Sequence, residues 1–227
     1  MSIRSNSTGT LQCPVTGGPG NTLPLTMCAW VKLVSRVGGF GVVLAYQDSL
    51  FNVAPGFIFT NLDDQIYFTP GPGINIPMVA DPTRWCFIAI IWPGVGTCVA
   101  MTLDADGLWT EQEHDSAGAD VPPTIFIGGQ TIGGGGVSPD ADLLYRGVHV
   151  WGELKSRQFV RQQAAQLAPL GMGTLWSTTY QYDLSAAQIG ESPVGHPWNE
   201  DAGSGWTTSP DEPPRPFTGL EPWDVGG

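Results

Sequence analysis

The stretch RWCFIAIIW, residues 84–92, constrains the fold more than any other part of the chain. Trp85, Phe87, Ala89 and Ile91 occupy one parity, and Cys86, Ile88, Ile90 and Trp92 occupy the other. A strand with one wet face alternates apolar and polar residues. One that is apolar on both faces is central in its sheet, with its second face covered by a loop, a helix or a neighbouring chain. Pro93-Gly94-Val95-Gly96 then turns the chain into TCVAMTL, residues 97–103. A two- or four-residue turn at 93–96 sets Cys98 opposite Ile91, and Asp106-Gly107 beyond it reads as a type I′ hairpin turn.

The rest of the chain follows the same plan. Strand candidates are LPLTMCAWVKLV (23–34), FGVVLAYQ (40–47), GFIFTN (56–61) and DQIYFTP (64–70). After a Gly/Pro loop at 70–83 and the pair above come LWTEQEH (108–114), TIFIGG (124–129), LYRGVHVW (144–151) and GTLWSTTYQYDL (173–184). The 31 glycines and 20 prolines punctuate apolar runs instead of replacing them, the pattern of an all-β protein with many short strands. One helix is expected, at 156–168, with Ser156 as N-cap, an apolar stripe of Phe159, Val160, Ala164 and Leu167, and Pro169 and Gly171 as its stop. A sandwich over residues 1–190 is followed by an extension, 191–227, rich in Pro, Gly and acid and bearing Trp198, Trp206, Phe217 and Trp223.

Charge is sparse and lopsided. Residues 1–98 hold four acids and four bases, whereas residues 99–227 hold 17 acids against 5 bases and so carry the whole net charge of −12. That surface repels phosphate backbones, which excludes nucleic acid as a partner. No run approaches the 18 apolar residues of a membrane helix, and the N-terminal residues lack the apolar core of a signal peptide, so the expected product is soluble and made in the cytoplasm. Cys13, Cys28, Cys86 and Cys98 show no zinc-like spacing and read as free buried thiols.

Five segments, in order, resemble the concanavalin A-like superfamily in its laminin-G-like form. They are LTMCAWVK (25–32), RWCFIAIIWPG (84–94), MTLDADG (101–107), IFIGG (125–129) and YRGVHVWGELKSRQFVRQQ (145–163). The resemblance covers roughly residues 20–170. It implies a two-sheet antiparallel jelly-roll sandwich with Trp30, Trp85 and Trp151 in its core. Looser similarity of LWSTTYQYDLS and EDAGSGWTTSP to tailed-phage virion proteins implies a virion component. Arg146-Gly147 departs from the pattern, since relatives often carry an acid there. The matching positions are core and turn positions, and they transfer a fold but no active site.

Catalytic signals are weak. Glu111, Glu113 and Asp115 in EQEHD share a strand face, but they lack the spacing of a glucanase carboxylate pair and read as the charge of an exposed edge strand. There is no GxSxG, and GGQTIGGGGVS (128–138) lacks the Lys-Ser/Thr of a phosphate loop and reads as a flexible loop. His114, His149 and His196 are far apart in sequence and are taken as structural. No metal site and no cofactor are expected, and calcium is the one ion the acidic loops could take. The leading expectation is a non-enzymatic phage virion surface protein, such as a capsid decoration or head- or tail-associated part. It would contact other virion subunits, or copies of itself, through a neutral apolar face and through tail residues Pro213, Pro214, Phe217 and Trp223. The alternative is a carbohydrate-binding adhesin for cell-surface glycan, using Trp109, Asp104, Asp106, Asp140 and Asp142.

Overall fold

A computed structural model describes residues 2–5, 10–14, 24–36, 40–47, 53–60, 65–71, 73–94, 96–116, 124–128, 131–132, 136–137, 141–151, 153–165, 199–201, 207–211 and 213. The strands are β1 (Ser2–Arg4), β2 (Thr10–Pro14), β3 (Leu25–Arg36), β4 (Phe40–Gln47), β5 (Val53–Thr60), β6 (Ile66–Gly71), β7 (Ile74–Pro77) and β8 (Cys86–Trp92). They continue as β9 (Gly96–Leu103), β10 (Trp109–Ser116), β11 (Thr124–Ile127), β12 (Thr131–Ile132), β13 (Gly136–Val137) and β14 (Ala141–Trp151). Helix α1 (Arg157–Ala164) and two short strands, β15 (Asn199–Asp201) and β16 (Thr207–Ser209), complete the described elements. Two seven-stranded antiparallel sheets result, in the orders β10-β9-β8-β3-β14-β1-β16 and β15-β2-β11-β4-β5-β6-β7. This is the expected jelly-roll sandwich with one short helix.

The core between the sheets takes one parity of each central strand. Met27, Val31, Ile88, Ile90, Trp92 and Tyr145 from the first sheet meet Phe57, Phe59 and Phe68 from the second, all buried. Each such side chain stabilises the sandwich by about 1.5–3 kcal/mol. The other parity of the first sheet forms a second cluster in which Trp30, Phe87, Met101 and Trp151 pack under Val160 and Ala164 of α1. The cover over the second face of the 84–92 strand is thus the chain's own helix. The helix is shorter than expected because Ala165 already leaves it as C-cap. Positions 166–168 and the strand expected at 173–184 lie outside the described residues.

Two turns differ from expectation. Ile91 opposes Val99, not Cys98. That one-residue shift sends Cys98 to the inter-sheet core and Val99 to the helix side, as a slip of one must. At the far end of β9, Gly107 N–H donates to the Asp104 carbonyl and Asp104 N–H to the Leu108 carbonyl, at 3.1 Å each. Gly107 sits at φ +85°, so this is a three-residue loop with a left-handed glycine in place of a type I′ turn. Likewise, the loop expected at 70–83 contains β7, and 128–138 contains the β12–β13 ribbon.

Arg146-Gly147 also has a structural reason. The pairing of β14 with β3 slips between Arg146 and His149, and Gly147 takes φ +59° there. Only glycine enters that region without strain, and the bulge keeps Val148 in the inter-sheet core while Trp151 faces the helix.

The chain's two end segments close one edge of the sandwich together. β1 pairs with β14 and with β16, while β2 pairs with β11 and with β15. The N-terminal strands and, from the 191–227 extension, β15 and β16 therefore lie within the sheets.

Candidate functional site

Across the first sheet, Arg4 of β1 opposes Leu144 of β14, and Leu144 opposes Lys32 of β3. Strand neighbours are about 4.8 Å apart, so the two cations flank one leucine. The chain leaving β16 sends Asp211 over this face. Lys32 Nζ donates to Asp211 Oδ2 at 2.6 Å, and the Trp85 indole Nε1 donates to Oδ1 at 2.9 Å. On the other side, the Leu33 N–H donates to the Pro82 carbonyl at 2.7 Å, which brings Thr83 alongside. The outcome is a half-open cleft of about 470 Å³, lined by Arg4, Lys32, Ser35, Arg36, Thr83, Leu144, Ser209 and Asp211 among others.

The cleft is electrostatically organised. Arg4 grips the nearly buried Asp142 through Nε and Nη2, the latter at 2.6 Å, and hydrogen bonding then charge attraction raise the guanidinium's pKa further. The hydrogen bond from Lys32 holds the Asp211 carboxyl below the usual carboxylate range, with help from Trp85, against desolvation. The Arg36 guanidinium lies 5.1 Å from the centre of the Phe59 ring.

The residues singled out in the sequence fall elsewhere. Asp104 caps its own hairpin, its Oδ1 accepting from the N–H groups of Asp106 (2.9 Å) and Leu108 (2.8 Å). Asp106 is exposed and forms a two-pronged pair with Arg84, whose hydrogen bonds and charge lower the carboxyl's pKa. Asp142 lies on β14, three strand positions from β9, a separation of about 14 Å at the usual spacing. Asp104, Asp106 and Asp142 therefore do not share one cation. Among the described residues, no three His, Cys, Asp or Glu gather into a metal-holding group. Trp109 is half-buried, edge-on to Phe87 at 6.1 Å and overlaid by the Arg161 guanidinium at 5.7 Å. Its ring face is already in use. Pro213, expected to touch a partner, is buried. Asp140, Pro214, Phe217 and Trp223 lie outside the described residues.

The best-placed carboxylates are also committed. β10 is the edge strand of its sheet, and Glu111 accepts from Arg157 (3.0 Å) and Arg161 (2.7 Å). Glu113 pairs with Arg157, and Asp115 accepts from Thr97 Oγ1 at 2.9 Å. This is a brace between edge strand and helix. Burial raises the thiols of Cys28, Cys86 and Cys98, the latter two to about 12, and all three are free. None is a nucleophile at neutral pH.

Sequence reasoning missed the cleft. A signal was present: of the four bases in residues 1–98, three (Arg4, Lys32 and Arg36) line it, and the fourth, Arg84, follows Thr83.

No protein-family profile matches the chain, and no characterised protein is similar to it in sequence. Solved structures are similar in fold. A Bacteroides ovatus protein described as carbohydrate-binding superposes with TM-score 0.60 at 11% identity, over 92% of this chain and 62% of that one. That likeness is one of fold alone, the two-sheet antiparallel jelly-roll sandwich. A heptameric SAP-like pentraxin from Limulus polyphemus gives TM-score 0.46 at 16% identity, covering 89% of this chain and 93% of that one. Domains LG4-5 of the mouse laminin alpha1 chain give 0.45 at 11% identity, covering 69% and 43%.

Proposed function

We propose that the chain is a non-catalytic binding module that holds carbohydrate in the cleft between β3, β1 and the segment after β16. The observation that carries this reading is the lining: about 470 Å³ walled by Arg, Lys, Ser, Thr and Asp side chains. That volume falls within the range of small-molecule sites, and hydroxyl-rich ligands need convergent donors and acceptors of this kind. The committed carboxylates of β10 speak against hydrolysis at that strand. The carbohydrate-binding description of the Bacteroides ovatus protein is consistent with the reading. Recognition runs through hydrogen bonds and charge, since Trp109 is occupied by Arg161. A glycan array probed with the full chain and with Ser35→Trp tests it. Specific glycans retained by the parent and lost in the variant support the cleft, and a blank array for both contradicts it.

A second reading keeps the chain as a virion surface subunit, as the resemblance to tailed-phage proteins implies. It is favoured by the open edge of the sandwich, where Val79 and Leu108 are 58% and 56% exposed and Thr110 Oγ1 reaches the Val79 carbonyl at 3.5 Å. A chain that stays monomeric in light scattering and never co-sediments with particles would end this reading.

A further inference from the structure

We infer that the ligand of this cleft is an acidic saccharide, a sugar bearing one carboxylate, whose negative charge is received between Arg4 and Lys32. This rests on the binding-module reading and narrows its ligand class. The first ground is charge placement. The chain carries −12 overall on only nine bases, yet Arg4, Lys32 and Arg36 line one cleft together with one lining acid, Asp211. Counting the adjacent Asp142 as well, the described residues at the cleft are three cations and two acids on a strongly negative molecule. Field lines concentrate in such a concavity, so an anion is drawn there and repelled elsewhere.

The second ground is hydrogen-bond capacity. An ammonium has three N–H donors and a guanidinium five. Lys32 Nζ spends one on Asp211, and Arg4 spends Nε and Nη2 on Asp142, so Arg4 Nη1 bonds to no described residue. The Lys32 and Arg4 side chains are 29% and 40% exposed, open to a ligand while fixed in place by their acids. A carboxylate is acceptor-only and takes donors from both, while Ser35 supplies a hydroxyl for the sugar ring. The donors left on Arg4 and Lys32 match one carboxylate. A polysulfated chain would have to cross the acidic remainder of the surface, but a single uronate would not.

Isothermal titration of the full chain with a trisaccharide of two neutral sugars and one uronate, and with its uncharged methyl ester, reads the claim. The acid is expected to bind about tenfold tighter than the ester, an advantage that shrinks with added salt. Lys32→Gln is expected to erase that advantage, and Ser35→Trp, which removes no charge from the cleft, to block both ligands. Equal affinity for acid and ester, with both blocked by Ser35→Trp, overturns the acidic-ligand inference and leaves the binding module standing. Tighter binding of a heparin tetrasaccharide or of an oligoglutamate peptide than of the single-uronate trisaccharide also overturns it. Failure to bind either sugar, together with a blank array, removes the inference and the module reading alike.

Discussion

Tyr145 lies in the inter-sheet core with its phenol linking the two layers. It donates to the Val43 carbonyl at 2.7 Å and accepts from the Gly128 N–H at 3.0 Å. Burial pushes its ionisation far upward, so it remains a donor at any working pH. Tyr145→Phe strands both backbone groups in the core and should lower stability by about 2–4 kcal/mol, read from urea melts. Asp104→Ala removes the acceptor of two N–H groups in the β9–β10 loop and should cost about 1–2 kcal/mol in the same assay. Asp106→Asn, which alters only an exposed pair, should leave the melt unchanged. The thiols give a fourth test. With Cys28, Cys86 and Cys98 buried and raised, alkylation mapped by mass spectrometry should leave all three unlabelled in the native protein and label them in urea. Native labelling of any of them would contradict the packing.

Elements show why some features could be read from the chain and others could not. The double-sided strand β8 was legible because both parities are written into residues 84–92, and α1 was legible from Ser156 onward. Ser156 Oγ accepts from the Phe159 N–H at 3.1 Å, so Ser156→Ala should cost about 1 kcal/mol in melting experiments. Register was not legible, because Gly94 and Gly96 at φ +90° and +106° form a turn whose length no pairing rule fixes from composition. Nor was the cleft, since Arg4, Lys32 and Asp211 meet only through the pairing of β1 with β14 and β16. The segment after β16 carries its own pH signature. Asp211 is held below its ordinary pKa, so its contribution is present above the unfolded value near 4 and fades as pH falls through the lower, folded value. Asp211→Asn should therefore flatten the acid limb of the stability profile below about pH 4 and leave its slope at neutral pH alone. Since Asp211 is part-exposed, screening keeps the effect small.

At the scale of the whole molecule, charge and topology divide the labour. Three of the four cations of residues 1–98 line the cleft between β3, β1 and the segment after β16, while the acids of β10 brace α1 at the far edge of that sheet. Sequence reading anticipated the jelly roll and its tryptophan core; its alternative glycan site took Asp140 and Asp142 together with Asp104, Asp106 and Trp109 of the hairpin at 103–109. There the side chains serve the turn and the helix instead. The central claim is binding without turnover, and native mass spectrometry of the chain incubated with a mixed oligosaccharide library tests it most directly. The account predicts a protein mass raised by one intact oligosaccharide, absent for Ser35→Trp, with the library's size distribution unchanged after prolonged incubation. Shortened oligosaccharides accumulating with time, dependent on Glu111, would contradict it.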